Sequence, residues 1–350
     1  MKDLCSLRVG YVPYSQGLGA PGDRRRFMYY ARNRNLRFEI ARPSQQYDVV
    51  VVAENADLSV WSQYDKGGAK VVYDFIDSYL AIPRTDPKGR LRGLAKYVSG
   101  QSRHLRLDYW KAFESMCERA DAVICATPEQ AGDIFPFCGN VHQILDFQST
   151  VALASKSDYR AGEVFNLVWE GLPENVSSLK SLRTVLATLQ TRRKIALHLV
   201  TDLQFKRHMG RFGHTQTADI ARGLCDHVYL YAWNEQMCST IISSCDLAVI
   251  PINLADPLAA GKPENKLLLF WRMGMPTITT ATPAYARAMA SANLPMACRD
   301  EDDWLQALEH YMTNEPARRH AGAAGKALAE SAYGEQVILQ KWDAMFDSLL

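Results

Sequence analysis

Apolar residues in this chain fall into short runs that alternate with stretches carrying helical spacing. In the first half Leu7–Val12, Phe38–Ala41, Tyr47–Ala53, Ala69–Phe75 and Asp121–Ala126 read as strands. Val49-Val50-Val51-Val52-Ala53 is apolar at every position, the pattern of a central parallel strand covered on both faces. Between these runs, Asp23 reads as the N-cap of a basic, aromatic helix reaching about Asn35. Leu107, Trp110, Phe113 and Met116 put one apolar stripe along Leu105–Arg119, and Thr127-Pro128-Glu129 reads as a helix start with proline in the first turn.

Residues 151–162 are small and polar and lack periodicity, which marks a linker. The alternation then restarts. Phe165–Trp169, Lys194–Val200, His227–Tyr231, Asp246–Ile252 and Pro276–Thr280 read as strands. Helices are expected through Leu179, Leu182, Leu186 and Leu189, after Pro263 as far as Met273, along the face of Trp304, Leu305, Leu308 and Tyr311, and over Glu335–Leu350. Parallel strands need crossover connections, which the helices supply. The expectation is an α/β protein of two Rossmann-like domains with parallel sheets facing across a cleft: residues 1–155, residues 156–332, and a last helix, 333–350, packing back on the first domain. Ligands of such sheets bind at the C-terminal ends of the strands.

Composition narrows the class. With 350 residues and 47% hydrophobic content the chain can fill two cores. A net charge of +2 gives no global case for nucleic acid. No apolar run approaches the roughly 20 residues that span a bilayer. The eight cysteines are scattered, without a Cys-x-x-Cys pair, and fit a reducing cytoplasmic setting. The eight histidines are equally dispersed, so no metal site is expected.

The chemistry concentrates at Gly261-Lys262-Pro263-Glu264-Asn265-Lys266. A buried strand empties into a loop there, and the helix that follows offers unpaired N–H groups and a positive dipole end, flanked by two lysines. Such a terminus suits a phosphate or diphosphate. Ordinary capping with solvated lysines is the plain alternative. The strand Asp246–Ile252, then Pro263-x-Asn265-Lys266, then Gly274-x-Pro276 resembles the donor-domain signature of GT-B glycosyltransferases, over about residues 246–285. The resemblance implies a nucleotide sugar as donor, held by Lys262, Glu264, Asn265, Lys266 and Gly171, and needs neither cofactor nor metal. Two positions depart from it. Leu269 stands where many such enzymes have a ribose-gripping Glu, and Leu172 follows Gly171 where many have Arg. Glu264 is then the candidate for the ribose contact.

On the acceptor side the resemblance places the loop Tyr14–Asp23 near the substrates. Gly17, Gly19 and Gly22 would let backbone approach a ligand and take positive φ. Arg24 or Arg26 could meet a carboxylate or phosphate, whereas Arg25 reads as solvated. Asp77, after a buried strand, is the first choice for a base, Asp23 the reserve, and Asp74 reads equally as a cap or an arginine partner. The expected activity is transfer of a sugar to a hydroxyl of a glycan or lipid-linked acceptor, as in bacterial surface polysaccharide synthesis. The setting is cytoplasmic, with a peripheral contact at the inner face of the membrane left open and no nucleic-acid partner. Two alternatives stand beside it: a degenerate GT-B domain acting as a binding partner, and a sugar-nucleotide epimerase.

Overall fold

The computed structural model describes residues 6–207 and 212–350, which form two compact units. The chain up to Phe147, with Glu335–Leu350, makes the first; Gln148–Gly334 makes the second.

The first unit is one parallel sheet of six strands, β1 (Val9–Val12), β2 (Phe38–Ile40), β3 (Val49–Ala53), β4 (Lys70–Asp74), β5 (Ala122–Cys125) and β6 (Val141–Gln143), in the order β2-β1-β3-β4-β5-β6. The valine run of β3 is buried at all five positions, as a middle strand requires. One face is covered by Phe113, Met116 and Cys117 of the helix Tyr109–Arg119, and the other by Phe27, Tyr30, Trp342 and Phe346. The last helix, Glu335–Asp347, therefore belongs to this core. Tyr30 stacks on Trp342 and Phe346 at 5.4 and 5.3 Å, and Arg34 pairs with Asp343 at 2.7 Å.

The second unit holds β7 (Phe165–Glu170), β8 (Ile195–Thr201), a hairpin of β9 (Gln204–Arg207) and β10 (Phe212–Gln216), β11 (His227–Ala232), β12 (Leu247–Ile250), β13 (Thr277–Thr280) and β14 (Ala297–Cys298). Six of these form a second parallel sheet, β11-β8-β7-β12-β13-β14, and the hairpin stands apart as an antiparallel pair. Both main sheets thus have the doubly wound, Rossmann-like order in which later strands lie on both sides of the first. No helix among the described residues is long and apolar enough to cross a membrane.

Local differences from the expected elements have identifiable causes. The helix expected from Asp23 to Asn35 is two pieces, α1 (Pro21–Arg24) and α2 (Phe27–Asn33). The break falls at Arg25, whose carbonyl accepts from the Phe147 N–H instead of from the next turn. Asp23 is not the N-cap, a position held by Ala20; it lies in the first turn with its side chain buried. The next helices along the chain are α3 (Leu58–Trp61), α4 (Pro87–Val98) and α5 (Tyr109–Arg119). The last of these starts later than the expected Leu105, because Asp108 caps it through the Lys111 N–H. The seven described cysteines are free thiols, and Cys5 lies outside the described residues.

Candidate functional site

In the second unit β12 leads through a loop and the short helix Pro257–Ala260 to the helix Asn265–Arg272. Leu267, Leu268, Leu269, Phe270 and Trp271 are all buried, so this helix is apolar nearly all round and its direction is fixed by the core. Its end is closed by a Schellman pair, Met275 N–H to Phe270 and Gly274 N–H to Trp271, with Gly274 at φ +70°. Gly325 of the helix Glu315–Ser331 allows close approach, since a Cβ there would stand 2.5 Å from the Trp271 ring. Packing at the far end thus holds the first turn, Glu264-Asn265-Lys266, in place.

Lys266 reaches from that turn to the end of β7. Its ammonium sits over the Trp169 ring, 4.6 Å from the centroid. Gly171 makes the room, because a Cβ at that position would lie 2.3 Å from Nζ and 3.0 Å from the Trp169 ring. No carboxylate lies within 4.0 Å of the ammonium among the described residues. Glu170 is close enough to act on it electrostatically, yet its Oε1 accepts a 3.1 Å bond from the Trp233 indole. Burial, opposed by Glu170 and reinforced by Lys262, pushes the Lys266 pKa down to about 8. A cation held beside a second cation and a helix N-terminus, over an aromatic face, lacks an anion.

The other expected donor-side residues are placed as follows. Lys262 is half-buried near Lys266. Glu264 is buried at the N-cap position, where the Tyr333 hydroxyl hydrogen-bonds it and its charge also acts on Tyr285. Asn265 opens the helix. Leu269 is part of the core, and Leu172 is 57% exposed. Trp169 and Trp233 complete the setting, and sequence reasoning passed over both.

In the first unit the loop after β1 is organised by Asp23. Its Oδ1 accepts from the Tyr11 hydroxyl and the Tyr14 N–H, each at 2.8 Å, and its Oδ2 from the Ser15 hydroxyl at 2.7 Å and N–H at 3.1 Å. Four donors on a buried carboxylate describe a loop anchor. The glycines of this loop divide: a Cβ on Gly22 would enter the Tyr14 ring at 2.7 Å, whereas Gly17 and Gly19 have open space around them. The positive φ expected of these glycines is taken by Leu18 instead, at 56°. Arg24 donates to the Gly19 carbonyl. Arg26 is fully buried, bonded to Asp74 at 2.6 Å, to Asp146 at 2.8 Å and to the Ile144 carbonyl. Arg25, expected in solvent, is also buried.

Asp77 follows β4 in a loop tied down from two sides. The Ile76 and Asp77 N–H groups donate to Glu54 Oε2 at 2.9 and 2.8 Å, and Gln130 donates to the Phe75 and Asp77 carbonyls. Burial, then the charge of Asp77, raises the Glu54 pKa to about 8. Glu54, at the end of β3, joins the candidate residues as one the sequence did not single out. Among the described residues no three His, Cys, Asp or Glu side chains are grouped to hold a metal ion.

No protein-family model matches the chain, and no curated protein matches it in sequence. Solved structures resemble it in fold. TarM is 11% identical with a TM-score of 0.60 over 85% of this chain, which spans only 54% of the TarM chain. Sucrose-phosphate synthase from Thermosynechococcus elongatus is 13% identical with a TM-score of 0.58, covering 87% of this chain and 74% of that one. WaaG, a glycosyltransferase involved in lipopolysaccharide biosynthesis, is 13% identical with a TM-score of 0.56, covering 96% and 98%. With its two parallel six-stranded sheets, the chain has the GT-B glycosyltransferase fold.

Proposed function

We propose that this protein is a glycosyltransferase that moves a sugar from a nucleotide-activated donor to a hydroxyl acceptor. The observation that carries the reading is the Lys266 ammonium, which lies on Trp169 beside Gly171 with no carboxylate within 4.0 Å among the described residues. The donor phosphate fills that place, with Lys262, Asn265 and the helix N–H groups as further donors. As the bond from the anomeric carbon to the phosphate oxygen breaks, these groups stabilise the charge that develops on the leaving phosphate. The acceptor oxygen bonds to the same carbon and loses its proton, for which Asp77 is the proposed acceptor. The likeness to WaaG supports a surface glycan or lipid-linked acceptor.

A thermal-shift panel of nucleoside diphosphates and their sugars tests the donor site, because a ligand that binds only the folded chain raises its melting temperature. At least one nucleotide is expected to do so at neutral pH. The effect should weaken as pH rises above about 8. There the unliganded ammonium loses its proton, and binding an anion, which restores the higher pKa, must take one up. Silence from every uridine, guanosine, thymidine, adenosine and cytidine ligand would remove the proposal. Asp77→Asn is expected to slow turnover about a hundredfold while leaving the nucleotide shift in place. Unchanged turnover would take the base role from Asp77.

A further inference from the structure

The helix α4 is built inside out. Leu91, Leu94, Tyr97 and Val98 are 62, 42, 45 and 56% exposed, and lie within one broad face by helical spacing. The opposite side is turned to the protein, and it carries cations: Lys96 is 8% exposed, over the Tyr109 ring, and Arg92 stacks on Tyr79 at 4.2 Å while donating to its hydroxyl. Gly93 lies so close to the Arg106 carbonyl that no side chain would fit between them. A helix on a water-facing surface presents the reverse arrangement.

The segment behind α4 continues the same surface. Leu105 and Leu107 are 45 and 67% exposed, and Arg103 and His104 are exposed beside them. This stretch is held in place: the Arg103 N–H donates to Asp57 at 2.7 Å and the His104 N–H to Ser59 at 3.0 Å. From Pro87 to Leu107 the sequence has six Lys and Arg residues and no Asp or Glu. The whole chain carries only +2, so the other residues together sum to −4. Six exposed apolar side chains, with the exposed Arg103 and the half-buried Arg106 among them in a stretch free of acidic residues, form the surface of an interfacial segment, in which the apolar side chains enter the lipid and these arginines meet its headgroups.

We propose that α4 and the segment through Leu107 seat this protein on an anionic lipid surface. Arg92 ties the helix to Tyr79, in the loop that follows Asp77, so the seated surface lies alongside the strand ends where an acceptor would be met. The inference does not depend on the identity of the donor.

The test is co-sedimentation of the full chain with vesicles of phosphatidylcholine alone, or of equal parts phosphatidylcholine and phosphatidylglycerol. Binding is expected to be about tenfold or more stronger on the anionic vesicles and to fall with added salt. The double variant Leu91→Ser, Leu94→Ser and the single variant Arg103→Glu should each weaken it about tenfold, with melting temperature and nucleotide response unchanged, because these side chains are exposed. Anionic vesicles that bind no better than neutral ones, or variants that bind as the parent does, would overturn the proposal. So would a dimer in light scattering that the double variant dissolves, since a second copy would then own this face.

Discussion

Lys266→Ala is expected to abolish the nucleotide-induced thermal shift and to lower glycosyl transfer about a hundred- to thousandfold, measured by product release at saturating acceptor. The size is that of removing a full charge from beside the proposed leaving phosphate. The same substitution should not weaken the fold. The charged form of Lys266 is disfavoured in the native protein, so the ammonium costs stability below about pH 8, and the cost fades as pH rises from there toward the ordinary 10.5. A residue that lowers stability while serving a ligand gives a readout that a purely structural role would not. Gly171→Ala is the companion variant. Its methyl group would stand 2.3 Å from Nζ, and the ammonium must leave the Trp169 face to make room. Weaker nucleotide binding with Lys266 still present is the expected result. A Lys266→Ala protein that keeps the full thermal shift would show that the anion site lies elsewhere.

The second large effect is on stability, at Arg26. Its guanidinium is wholly buried and bridges Asp74, Asp146 and the Ile144 carbonyl, joining the ends of β4 and β6 to α2. Arg26→Met keeps the side-chain length and leaves the buried Asp74 without its cation. Breaking such a pair from one side costs about 3–5 kcal/mol. Denaturant unfolding should therefore show a transition moved by that order. Adding Asp74→Asn should recover part of the loss, because a neutral amide has no charge to strand. A single variant as stable as the parent would mean that water reaches Asp74 freely.

The strand run was readable because fully buried strands have nothing polar in them: β3 and β12 are apolar at each position. The helix start at Asn265 was readable from proline, lysine and the glycine that closes it. The Arg26 cluster was not, since Arg26 meets residues 48 and 120 positions away and nothing in Asp23-Arg24-Arg25-Arg26 distinguishes the buried arginines from a solvated pair. Trp169 and Glu54 were missed for the same reason: their roles come from neighbours that only the fold supplies. α4 escaped because its polarity is reversed, and hydrophobic periodicity is looked for on the assumption that apolar faces turn inward. The two units and their parallel order match the expected α/β architecture, and their likeness to solved structures shows the GT-B fold.

The chain passes between its two units twice, after Phe147 and after Gly334. The second unit is one uninterrupted stretch and can close its core as soon as Gly334 has been made. The first unit begins synthesis earlier but cannot finish. Phe27 and Tyr30 wait for Trp342 and Phe346, which are translated after the whole of the second unit. The order of synthesis and the order of completion are thus inverted. The nascent first sheet carries an uncovered aromatic face until the second unit has been made, the kind of exposed apolar surface that favours aggregation.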